Sequence, residues 1–237
     1  MRTCCLFAMT IFLTTQFPAP PVLARDSPTD ESKRTVRAAT HDGGSAAAGT
    51  SRGAADAAQG VEAGRERPKL LDAAYADALR ILGRDNSCSG FLGGSGAGEE
   101  ALDRLVNQLR GALIRDSGVG IRMSGAFTFY SRPEKGFSYR LFAEARINSA
   151  GPFYHAKAFP TDPFIPNAGS FRPNTREARV LMLLHELGHL IVGPEGNWVL
   201  PDDANNPEQS ARNTARVESQ CREQILSLRD GAEGRAD

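Results

Sequence analysis

The sequence predicts an α+β fold in which a small antiparallel or mixed sheet packs on a buried helix, with a further helix at the C-terminus. Three observations lead there. Two runs in the middle of the chain alternate between apolar and polar residues at the period of a strand. The stretch "VLMLLHELGHLIVG", Val180 to Gly193, is almost wholly apolar and long enough for a buried helix. Amphipathic segments of helical period stand before and after them.

The 237 residues carry 28 basic and 28 acidic side chains. Nucleic-acid binders show a basic patch or stripe, and this balance argues against that class. Residues 1–24 read as a secretory signal peptide. Arg2 supplies the positive end, Cys4 to Leu13 the short apolar stretch, and "VLA" ends at Ala24 with the small residues a signal peptidase needs. The apolar stretch falls short of the ~20 residues that span a bilayer, so no stable membrane span is expected. The mature protein is expected outside the cytoplasm, periplasmic or extracellular, and monomeric. Cys88 and Cys221 then remain, and an even count in an oxidising compartment predicts a disulfide between them.

Residues 25–66 are rich in Ala, Gly, Ser, Thr, Asp and Arg. With almost no large apolar residue they are expected to be a disordered low-complexity linker. Residues 67–237 form the expected folded domain, with order starting near Pro68. Leu71, Ala74, Tyr75, Ala78, Leu79 and Leu82 recur at helical spacing, and Gly83 is a plausible stop. The glycine-rich "RDNSCSGFLGGSGAG" reads as a flexible connection, since it lacks the lysine and hydroxyl residue of a phosphate-binding loop. "EEALDRLVNQLRGAL" is a second amphipathic helix, with Leu102, Leu105, Val106, Leu109 and Leu113 on one face.

"IRMSGAFTFY" and "FSYRLFAEARI", separated by the turn-forming "SRPEKG", predict a β-hairpin. In its second strand Phe137, Tyr139, Leu141, Ala143, Ala145 and Ile147 alternate with Ser138, Arg140, Glu144 and Arg146, with only Phe142 breaking the polar set, which is the pattern of a half-buried strand. Gly151 to Pro173 carries five prolines and reads as an irregular loop. The next helix is expected from about Thr175 to Val192. Asn174 would be its N-cap, Glu177 would complete a capping box, and Gly193 and Pro194 would end it. A last helix should run from near Ser210 to about Leu228. Ala211, Thr214, Val217, Cys221, Ile225 and Leu228 would form its inner stripe, with Glu218 against it.

The chemistry is concentrated in "HELGH". His185 and His189 are four residues apart, which on a helix places both rings on one face. Two imidazoles so placed can hold one zinc ion. Glu186 then stands beside the metal, where it can take a proton from a water that the ion acidifies. Burying three such groups without a partner would destabilise an apolar helix, so the pattern predicts a cation.

On these residues the chain resembles the zincin superfamily of zinc metallopeptidases. The resemblance covers about a dozen residues around HELGH, with an element order of strands, histidine helix and further helix. It implies a zincin-like fold, His185 and His189 as zinc ligands, Glu186 as general base and acid, and a peptide or protein substrate. In metzincins a third histidine follows the second by six residues, with a glycine after three. Those positions hold Glu195 and Val192 here, and Gly193 comes one place late. In the other large branch a glutamate comes from the following helix, a position Glu218 fits. Asp202, Asp203 and Glu195 are alternatives for the third ligand, with His155 and Asn213 behind them. A non-catalytic metal-binding or interaction protein with a structural zinc is the alternative function. A metal-dependent hydrolase of non-peptide bonds and a metal-free protein stand further off.

Overall fold

The apolar stripe of Leu71, Ala74, Ala78 and Leu82 is buried in a computed structural model of the chain, which describes residues 50–94, 96–115, 120–156, 165–193, 195–204 and 206–229. The expected signal segment and the linker up to residue 49 lie outside the described residues. Helix α1 spans Thr50–Leu82. It begins well upstream of Pro68, so residues 50–66 are helical rather than disordered. Alanines at 54, 55, 57 and 58 have the highest helix propensity of any residue. Pro68 lies inside the helix and removes one backbone donor from it.

The glycine-rich stretch is not wholly irregular. Ser87–Phe91 form a short helix, α2, capped by the Asn86 side chain, which accepts from Ser89 N at 3.0 Å. Helix α3 spans Ala97–Leu109 and buries Leu102, Leu105, Val106 and Leu109. Gly111, at φ 79°, turns the chain out of the helix. Leu113 therefore leaves the expected helix and starts the short strand β1, Leu113–Ile114.

β2 (Ile121–Arg132) and β3 (Phe137–Asn148) form the expected antiparallel hairpin, with Tyr130 opposite Tyr139. Its turn is a 3-10 segment closed by Gly136 at φ 75°. β1 adds in parallel to the other edge of β3, giving a three-stranded mixed sheet of order β1-β3-β2. Helix α3 packs against β3.

Helix α4 spans Arg176–Leu190 and is buried nearly all round, with Val180, Leu181, Leu183, Leu184 and Leu187 fully enclosed. Its N-cap is Thr175, whose hydroxyl accepts from Ala178 N at 3.2 Å. Asn174 is instead at φ 61° and accepts from Arg179, and the Glu177 carboxylate is taken by Arg229. The helix ends before Val192 because Ile191 bridges to Tyr139 and Val192 to Trp198, prolonging the sheet beside β3.

Helix α5 spans Pro207–Leu226, capped by Asn206. Val217, Cys221 and Ile225 are buried as expected, but Ala211 is exposed and Asn213 takes the inward place. The expected disulfide is present: Cys88 on α2 is bonded to Cys221 on α5 across 133 residues of sequence. One hydrophobic cluster runs from Leu71 to Leu228. Among the described residues no helix is long and apolar enough to cross a membrane.

Candidate metal centre

Helix α4 presents His185 and His189 on one side, since four residues return almost to the same direction. Both are buried, and their Nε2 atoms face each other at 3.2 Å. Asp203 meets both rings. Its Oδ2 lies 3.2 Å from His185 Nε2 and its Oδ1 lies 3.3 Å from His189 Nε2.

A backbone contact brings Asp203 there. Leu200 N donates to Gly188 O at 3.0 Å and Val199 N to Ile191 O at 3.0 Å, which lays the 198–203 segment over the end of α4. A Cβ on Gly188 would stand 2.6 Å from Leu200 Cδ1 and 2.7 Å from its Cγ. The glycine of HELGH is therefore what lets the aspartate-bearing segment approach the helix.

Helix α5 holds the cluster from the other side. Asn213 Nδ2 donates to Asp203 Oδ2 at 3.0 Å and to Pro201 O at 2.9 Å. Gln209 Nε2 in turn donates to Asn213 Oδ1 at 2.8 Å. The Thr214 hydroxyl lies 3.0 Å from His185 Nδ1. It can accept a proton there, which leaves the His185 Nε2 lone pair free for a metal.

The donor set fits a zinc ion. Two nitrogens at ~2.0–2.1 Å from one tetrahedral ion stand about 3.3 Å apart, against 3.2 Å between the two Nε2 atoms. Both carboxylate contacts have nearly the same length. Without a cation, two imidazoles this close can satisfy each other only by sharing one proton. His189 Nδ1 is buried with no hydrogen-bond partner among the described residues, so its tautomer is left to what its Nε2 binds.

Burial opposes ionisation of Asp203, but hydrogen bonds from His185 and His189 outweigh it and hold the carboxyl well below the usual carboxylate range. Burial likewise disfavours the His189 cation, yet Asp203 and Glu186 raise its pKa overall. Glu186 is half-buried. Desolvation pushes its carboxyl up against the pull of the two imidazoles.

His185, Glu186 and His189 are thus together as expected, but the carboxylate beside them is Asp203 and not Glu218. Glu218 lies on α5, where its carboxylate accepts from Ser170 N at 3.0 Å, from the Ser170 hydroxyl and from Arg222. Its charge is already matched by those donors. Glu195 is exposed in a turn, and Asp202 is paired with Arg140. His155 Nε2 contacts Ser149 O at 2.9 Å and is not in the cluster. Asn213 touches the carboxylate rather than an imidazole. Thr214 was visible in the sequence only as a stripe residue of the last helix, and Arg140 only as an outward residue of a strand. No signal short of the fold marks either. Neither a family model, nor a curated protein, nor a solved structure matches the chain.

Proposed function

We propose that the protein is an exported zinc-dependent peptidase of zincin type, with His185, His189 and Asp203 holding the ion and Glu186 as general base. The observation that carries the reading is the near-equal spacing of three side chains: 3.2 Å between the two imidazole Nε2 atoms, and 3.2 and 3.3 Å from them to the two Asp203 oxygens. Two imidazoles and a carboxylate are a set that catalytic zinc sites take from the protein, leaving a further position for substrate or water. The small mixed sheet beside the HELGH helix supports the zincin comparison. The Cys88–Cys221 disulfide supports an oxidising compartment.

When bound, zinc supplies a Lewis acid for a peptide carbonyl and lowers the pKa of a water towards ~7. The protein's own groups do the rest. Glu186 accepts the proton of the attacking water and returns it to the leaving amine. Thr214 orients His185, and Asn213 orients Asp203.

The test combines metal content with cleavage. Protein purified without chelators should carry about one zinc per chain and cleave a broad peptide library. Glu186→Gln should keep the zinc and lose cleavage by at least ~10²-fold. Absence of divalent metal, with no uptake on adding zinc, overturns the reading. Zinc retained by a wild type that cleaves nothing in the library turns it to a structural ion.

A further inference from the structure

Arg140 is a buried cation that the reaction chemistry leaves unused. It is 2% exposed, in the first third of β3. Its guanidinium carbon lies 4.0 Å from the Trp198 ring centre, 4.8 Å from Phe142 and 5.3 Å from Phe127. A guanidinium is costly to bury unless its N–H groups are matched. Here the matching groups come from two places. Nε donates to His189 O at 2.8 Å, and Nη2 is paired with the Asp202 carboxylate.

Each of those partners is next to a donor of the metal cluster. The carbonyl belongs to His189 itself, in the last turn of α4, where unpaired helix carbonyls carry partial negative charge. Asp202 directly precedes Asp203. A rigid planar fork therefore spans the end of the histidine helix and the segment that delivers the carboxylate. The ring of Trp198, from that same segment, lies over the fork. A lysine could not do this. Its ammonium is a point charge without a planar face, and it does not present two donors in fixed directions.

We infer that Arg140 is a positioning residue for the metal centre, which sets the reach of Asp203 to His185 and His189 by clamping the His189 carbonyl and Asp202 together. The inference rests on the zinc reading proposed above. The hydrogen bonds of Arg140 go to the His189 carbonyl and to Asp202, not to the imidazoles or the Asp203 carboxylate. It acts through the backbone of one donor residue and the neighbour of another. The sheet thereby acquires a part in the site: β3 is anchored to α3 on one face and passes that rigidity to the 198–203 segment through one side chain.

The test is zinc affinity, measured by chelator competition on wild type, Arg140→Lys, Asp202→Asn and the double variant, with thermal unfolding of each metal-free protein alongside. Asp202 has a side chain 63% exposed, so its amide variant should fold normally even if the lysine variant is weakened. Each single variant should lose ~10–100-fold in zinc affinity. The double variant should lose no more than the worse single, because both changes break one clamp. Additive losses would mean that Asp202 acts on the ion independently of Arg140, and would overturn the inference. So would wild-type affinity in both singles, including the case where only the metal-free melting temperature falls. A wild type that takes up no zinc overturns the metal reading, and this inference with it. Unaltered variants beside a zinc-binding wild type overturn the positioning role alone.

Discussion

The Thr214 hydroxyl sits 3.0 Å from His185 Nδ1, the ring nitrogen opposite the one that faces His189. A hydroxyl there can accept the Nδ1 proton and so fix both the tautomer and the tilt of the ring. Thr214→Val keeps the shape of the side chain and removes the acceptor. Zinc affinity should fall ~10–100-fold, and Thr214→Ser should restore most of it. Chelator competition on the two variants checks this, and wild-type affinity in Thr214→Val with a loss in Thr214→Ser would mean that the methyl group matters instead.

Asp203 and Glu218 make a direct comparison of two carboxylates. Asp203 faces two imidazoles, while Glu218 is held by Ser170 and Arg222. Asp203→Ala should lose zinc by ~10²-fold or more, a larger loss than removing an outer partner gives. Glu218→Ala should leave zinc affinity within a few-fold of wild type, at a modest cost in stability of about 1 kcal/mol for its hydrogen bonds. Isothermal titration of zinc into each metal-free variant distinguishes them, and the reverse order would move the third ligand to α5.

The disulfide closes a long loop and pins α5, which carries both Asn213 and Thr214, to α2. Replacing Cys88 and Cys221 together by serine should lower unfolding free energy by ~2–5 kcal/mol. Urea unfolding followed by circular dichroism measures this. The wild type should show a similar drop in the presence of a strong thiol reductant, and a transition insensitive to reductant would contradict it.

Glu100 gives a pH dependence away from the candidate metal centre. Arg132 Nε and Nη2 donate to its Oε1 at 3.1 and 2.9 Å, and the Tyr139 hydroxyl at 2.8 Å. The Arg132 bonds first, and the Tyr139 bond after them, lower its pKa from 4.5 to about 2. A depressed carboxylate stabilises the fold fully above its unfolded pKa and loses that contribution as pH falls through the folded value. Wild-type stability should therefore drop between about pH 4.5 and 2 more steeply than that of Glu100→Gln. Denaturant titrations across that window compare the slopes, and parallel curves would exclude the linkage.

How much of this was legible beforehand depends on how local each interaction is. His185 and His189 share a face because of the helical period, which needs no neighbour. The hairpin from Ile121 to Ile147 follows from alternation and a turn sequence, and the pairing of Cys88 with Cys221 from their being the two cysteines that follow the expected signal segment. Residues 50–66 lack an apolar stripe, so the sequence offers only backbone propensity, and not burial, as a sign of the helix there. The spacing of Leu113 fits a helix, whereas the turn at Gly111 is decided by backbone conformation.

The choice among Asp203, Asp202, Glu195 and Glu218 belongs to the tertiary structure. All four are carboxylates within reach of the histidine helix in sequence, and nothing in their own neighbourhoods ranks them correctly. The rank comes from Leu200 lying against a helix face that has no Cβ at Gly188, from Asn213 reaching across from α5, and from the groups that already occupy Glu218 and Asp202. Arg140 shows the same division. Alternation along β3 assigns it to the outer face, and it does point there, but Trp198 folds back over it and makes that face an interior. Periodicity reports which side of an element a residue takes. Only packing decides what covers that side, because the covering groups come from distant parts of the chain and their approach depends on every contact between.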